Sequence, residues 1–215
     1  MHRKRTGWLR QRLFKSLRRR DIIILATFWL SAACMMGLVL VFFALRFSEW
    51  SRPVYRLNAG EITARSLFPA AQEAAAAWEA DVRFVSASAT WNHASLETLE
   101  QPVEWIFRFY SPGLQRILFV IVTPDRQVVV RPHLEKTRRE FRIVNPDRWQ
   151  MDSPEALSNW LNNGGAEWLR YSTERIVSAQ LTQDLNINAP VWTISGLNPE
   201  TGDSIVYTVP AVKGQ

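Results

Sequence analysis

A chain of 215 residues with a single cysteine excludes a fold stapled by internal disulfides, so its core must hold together unaided. The formal charge of +6 is lopsided: residues 1–21 carry nine Lys or Arg against one Asp, which is +8 and leaves −2 for the remainder. That removes most of the case for a nucleic-acid-binding domain, which places its basic patch on the fold itself.

The basic tail, with Arg3, Lys4 and Arg5 at one end and Arg18, Arg19 and Arg20 at the other, finds its natural partner in anionic lipid of an inner membrane leaflet. Each basic residue close to such a surface contributes about 1 kcal/mol. Trp8, Leu9, Leu13, Phe14 and Leu17 are interleaved with these charges, which fits a short interfacial helix. A disordered positive-inside signal fits equally well.

From Ile22 to Leu45 the chain runs 24 residues without a charge. A helix of that length crosses a hydrocarbon core of about 30 Å, and Lys and Arg gather on the cytoplasmic flank. The expectation is a single-pass helix with its N-terminus inside and its C-terminal domain extracytoplasmic. A cleaved signal peptide has a shorter apolar core. Lipidation at Cys34 is disfavoured because Ser31 stands where a lipobox carries an aliphatic residue and the apolar run continues beyond the cysteine. Cys34 then reads as a small apolar residue.

Trp50 and Tyr55 follow as interfacial anchors in a connector at 47–65. Pro69 suits a first helical position, and Ala71, Ala74, Ala75 and Trp78 recur at helical spacing to about Ala80. A strand from Val82 towards Trp91 comes next. The clearest strand is Val103–Tyr110, with Trp105, Phe107 and Phe109 alternating onto one face. Ser111-Pro112-Gly113 turns the chain into Ile117–Thr123, and Pro124-Asp125 turns it into Val128–Val130. The charged stretch His133–Arg142 reads as loop or as polar edge strand.

Much of this order recurs. Asp152-Ser153-Pro154-Glu155 is a helix start with a capping side chain, an early Pro and an acid in the first turn. Ala156, Leu157, Trp160 and Leu161 form its apolar stripe, and Gly164-Gly165 ends it. Strands follow at 176–181, Pro190–Ile194 and Ser204–Pro210, the last pair joined through Thr201-Gly202. The fold class expected is α+β: a basic cytoplasmic tail (1–21), a transmembrane helix (22–46), the connector (47–65), and two helix-plus-antiparallel-sheet repeats at 66–148 and 149–215.

The second half resembles the PepSY-like modules of bacterial envelope proteins. The resemblance rests on Trp149-x-x-Asp152-Ser153-x-x-Ala156, the Gly164-Gly165 pair, Pro190-Val191-Trp192 and the Thr201-Gly202 turn. It departs at Asn198-Pro199-Glu200, where the family has an acidic residue and a small one. It implies a helix packed on a small antiparallel sheet, a place in a bacterial cytoplasmic membrane, and a non-enzymatic role in protease regulation or envelope sensing.

Motifs of catalysis are scarce. His93 and His133 lie in separate loops with no cysteine beside them, so a zinc site is not expected. No nucleophile elbow, phosphate-cradling glycine loop or dinucleotide fingerprint is present. Asp152 and Glu155 are explained by helix capping. Trp78, Trp105, Trp160 and Trp192 sit at core-facing spacing. Trp91 and Trp168 belong to no periodic stripe and, with His93 in its loop, are the candidate partner-facing residues. No catalytic residue, cofactor or metal ligand is expected. The function expected is a membrane-anchored, non-catalytic binding or regulatory module with other membrane or envelope proteins as partners. Ser31-Ala32-Ala33 and Gly37 would permit close helix approach, which keeps open an accessory subunit of a larger membrane complex. An envelope enzyme of unrecognised type is the third reading.

Overall fold

The computed structural model describes residues 28–31, 33–41, 54–57, 62–101, 103–170 and 174–212. They divide between two compact units, Met1–Pro53 and Val54–Gln215.

In the first unit the described residues are helical at 28–31 and 33–41. Among the described residues no helix is long and apolar enough to cross a membrane. That corrects the transmembrane helix expected at 22–46, and with it the single-pass placement in a cytoplasmic membrane. The basic tail, including Arg3, Lys4, Arg5, Arg18, Arg19 and Arg20, lies outside the described residues, as does Trp50.

The second unit opens with residues 54–57 tied to the domain. The Tyr55 backbone N–H donates to Asn162 Oδ1 (2.8 Å), its carbonyl accepts from Asn162 Nδ2 (3.0 Å), and its hydroxyl accepts from Arg170 (3.0 Å). Tyr55 is therefore part of the fold rather than a membrane anchor.

Helix α1 spans Ala64–Trp78, five residues earlier than Pro69 alone signals. Its start is set by a capping box: Thr63 Oγ1 accepts from the Ser66 N–H, and Ser66 Oγ accepts from the Thr63 N–H. Two further first-turn amides are capped from the other half of the chain, Ala64 N–H by Ser153 Oγ (3.2 Å) and Arg65 N–H by Asp152 Oδ1 (3.1 Å). Pro69 sits inside the helix, where the Arg65 carbonyl it leaves without a partner is on the exposed side.

Helix α2 spans Ser153–Trp160 with Asp152 as its cap. The chain kinks at Gly164, which takes the left-handed φ of 109° expected of this pair, and then resumes as α3, Ala166–Leu169. Gly165 is fixed by packing: a Cβ there would lie 2.5 Å from the Trp160 ring.

Four strands follow α1, β1 Arg83–Trp91, β2 Trp105–Ser111, β3 Arg116–Val122 and β4 Val128–Pro132, and three follow α3, β5 Ile176–Asp184, β6 Ala189–Leu197 and β7 Ser204–Pro210. They form one antiparallel sheet in the order β4-β3-β2-β1-β5-β6-β7. This corrects the expectation of two helix-plus-sheet repeats. β1 and β5 pair from Ala87–Leu181 to Trp91–Val177, so the ladder runs unbroken across the boundary drawn at 148–149. Each half alone would present unpaired backbone groups along β1 or β5, and their union satisfies both. Small residues at the seam, Ala87, Ala89 and Ala179, are buried at 4% exposure or less.

The core lies on one face of this sheet. α1 packs over β1–β4 and α2 over β6. Phe68 and Phe84 from the first half meet Trp149 from the second, with Phe68 and Trp149 edge to face at 5.6 Å, and Phe107 packs on Phe84. Trp149 and Trp192 both donate their indole N–H to the Met151 carbonyl, at 2.8 and 2.9 Å. That shared acceptor satisfies two buried donors which an apolar core would otherwise strand.

Candidate functional site

Strand alternation gives every core residue a neighbour on the opposite face. On β2 and β3 those neighbours are Ile106, Arg108, Phe119 and Ile121, all partly exposed. Register places Arg108 between Ser86 on β1 and Phe119 on β3, and Ile121 beside Val129 on β4. Across the seam the character changes to hydroxyls and amides: Ser88 faces Gln180, Gln180 faces Thr193, and Thr193 faces Thr208. The open face thus has an apolar and basic half and a neutral polar half.

The chain after β4 turns back over this face. His133 N–H donates to Ile117 O (2.8 Å) and Thr137 N–H to Gln115 O (2.8 Å). Phe141 then packs against Tyr110, ring centroids 4.8 Å apart. Val144 N–H reaches Phe84 O (2.8 Å) on β1, beyond the last β1–β5 pair, and Val144 is 1% exposed. His133–Arg142 is therefore neither a free loop nor an edge strand but a strap.

Under the strap lies a cavity of about 330 Å³. A β-bulge between Phe84 and Ser86 gives β1 an extra residue there, a device that re-aims side chains, and Val85 forms one wall. Phe141 forms another apolar wall, and Thr182 and Gln183 of β5 line the far side. The remaining lining is charged: Arg108 from β2, with Arg139, Glu140 and Arg142 from the strap. Arg108 Cζ stands 5.4 Å over the Phe119 ring, a cation–π contact that supports the guanidinium from one side. Among the described residues Arg108, Arg139 and Arg142 form no ion pair within 4 Å. The buried Arg108 Nε and Gln183 Oε1 have no hydrogen-bond partner, although Gln183 is only 7% exposed and its amide nitrogen donates to Asn188 (3.3 Å).

The three residues read from the sequence as partner-facing lie elsewhere. Trp91 is 5% exposed and packs edge to face on Trp105 at 6.3 Å; it is a core ring and offers no surface to a partner. His93 is exposed in a left-handed turn (φ 52°), with Nδ1 2.9 Å from Glu174. Trp168 carries the Arg175 guanidinium 3.9 Å from its ring centroid. The structure thus brings His93 and Trp168 to the consecutive residues Glu174 and Arg175, where β5 begins, and leaves Trp91 beneath the sheet.

None of the cavity residues was singled out from the sequence. The available signals were Arg108 alternating with Trp105, Phe107 and Phe109, and the aromatic Phe141 inside Arg138-Arg139-Glu140-Phe141-Arg142. Among the described residues no group of three or more His, Cys, Asp or Glu converges as a metal site would require.

The residues that carry the PepSY-like resemblance have structural tasks here: Trp149 and Trp192 in the core, Asp152 and Ser153 at two helix starts, Gly164 at a kink, and Gly202 (φ 76°) in the last turn. No family model, curated protein or solved structure matches the chain, so that resemblance stands on its motifs alone.

Proposed function

We propose that the Val54–Gln215 unit is a non-catalytic binding and regulatory module whose working surface is the open face of its sheet. The observation that supports this is the strap-covered cavity, in which three guanidiniums lie beside apolar walls without a carboxylate partner. A face evolved only for solvation spreads its charges and pairs them; this one concentrates them in a recess of ligand size. The regulatory role implied by the PepSY-like resemblance is part of the same proposal.

The test begins with thermal stabilisation of the full chain by a panel of small anions, neutral sugars and short peptides. Ile121→Asn on the open face, and Glu73→Arg on the outer surface of α1 as control, are then compared for binding the best ligand. The proposal expects Ile121→Asn to weaken binding at least severalfold with its far-UV spectrum unchanged, and Glu73→Arg to bind normally. The reverse pattern would place the working surface on the helices.

A second reading, as a subunit of a larger assembly, is favoured by the edge strand β4. Val128, Val129 and Val130 are each 37–40% exposed along an unpaired edge, the kind of strand that another chain can extend.

A further inference from the structure

We propose that the cavity beneath the strap binds a small phosphate monoester, with Arg108, Arg139 and Arg142 holding the phosphoryl group and Thr182 orienting the rest. This rests on the reading of the open face as the working surface and assigns its ligand class. Three arginines against Glu140 give the lining a net charge of +2, because guanidinium stays protonated at any physiological pH. A phosphate monoester carries close to two negative charges near pH 7 and offers three strong acceptor oxygens, which match donors arranged in forks. An isolated monocarboxylate would leave one positive charge uncompensated.

The remaining walls select what the phosphate is attached to. Val85 and Phe141 are apolar, so an organic body is accommodated rather than a bare ion. The Thr182 hydroxyl provides a polar group for a hydroxyl on that body. A volume of about 330 Å³ stands at the lower limit of small-molecule sites, enough for a phosphate on a body of a few carbons. The surroundings reinforce the sign. Positions 126–142 hold six Lys or Arg against two Glu, although residues 22–215 as a whole are net negative. That local excess favours approach of anions to this mouth.

The experiment titrates the full-length protein with glycerol 3-phosphate, inorganic phosphate, succinate and glycerol at constant ionic strength, reading heat and amide shifts. Saturable binding of glycerol 3-phosphate is expected, tighter than that of inorganic phosphate or succinate, with shifts at Arg108, Thr182 and residues 139–142. Arg142→Gln, on the exposed strap and remote from the core, should weaken it about tenfold, and Arg108→Gln by at least as much. Glu140→Gln removes the one opposing charge and should tighten it severalfold, an outcome that a merely disrupted fold does not produce. Absence of saturable binding, succinate binding as tightly as the phosphate ester, or unchanged affinity in Arg142→Gln overturns the assignment. Shifts on the open face with glycerol or succinate alone would retain the working surface and discard the phosphate.

Discussion

Asp81 shows how much of this molecule is decided by single polar contacts. It sits in the turn before β1 and accepts from the Ser111 hydroxyl (2.5 Å) and the Gly113 N–H (2.6 Å), which tie the end of β2 to the start of β1. A Cβ on Gly113 would lie 2.9 Å from Asp81 Oδ2, so glycine is needed for that approach. The Ser111 hydrogen bond first, then the Gly113 amide and the Arg83 charge, hold the Asp81 carboxyl below the usual carboxylate range. A carboxylate whose folded-state pKa is lowered adds stability above its unfolded pKa, and that stability is lost as pH falls through the folded value. Melting temperatures of the native chain and Asp81→Asn should therefore differ at neutral pH and converge below about pH 4, near the unfolded carboxylate value. Parallel curves down to pH 2 would show that the contact is not linked to protonation. At this scale the sequence was informative about structure: Gly164 and Asp152 were readable because each meets a local demand, a left-handed kink or a helix cap. The capping role of Thr63 was equally local and was overshadowed by Pro69, a stronger signal further along.

Strand and helix identities were legible wherever one face is buried and the other is not. Trp105, Phe107 and Phe109 alternate with partly exposed residues as observed, and β7 coincides with the expected Ser204–Pro210. Periodicity failed for the strap. Residues 133–145 have no repeating apolar face: backbone hydrogen bonds from His133 and Thr137 hold the first part, and Phe141 and Val144 anchor the rest to strands far away in sequence. The site was illegible for the same reason: its residues come from β1, β2, the strap and β5, and only tertiary structure gathers them. The strap can be tested as an element. Removing the Phe141 ring by Phe141→Ala takes away its packing on Tyr110 while leaving the sheet ladders intact. Trypsin should then nick the chain after Arg138, Arg139 or Arg142 at least severalfold faster, with the far-UV spectrum unchanged, since cleavage follows local opening. Unchanged nicking would mean that Val144 and the backbone hydrogen bonds of the strap hold it down without the Phe141 ring.

On the scale of the whole molecule, the two halves of the chain build one sheet, and the cavity exists only because they do. Arg108 and Val85 come from the first half, Thr182 and Gln183 from the second, and the strap links them. Two independent repeats would have left each half with its own small sheet and no shared recess. The sequence displayed the similar order of elements in each half but carried no mark of which edges join. An edge strand and a central strand with the same face buried have the same alternation, and the seam is made of small residues that periodicity counts lightly. Fusion also explains why two first-turn amides of α1, beyond those served by its own Thr63–Ser66 box, are capped by Ser153 and Asp152 of the other half.

The most direct test of this account is native-state amide exchange on the full-length protein across a denaturant series, resolved for β1 and β5. The account predicts that the amides pairing Ala87–Trp91 with Val177–Leu181 open with the same free energy and denaturant dependence as those of β2 and β6, as one cooperative unit. Seam amides that exchange first, with the two halves opening independently at different denaturant concentrations, would contradict it.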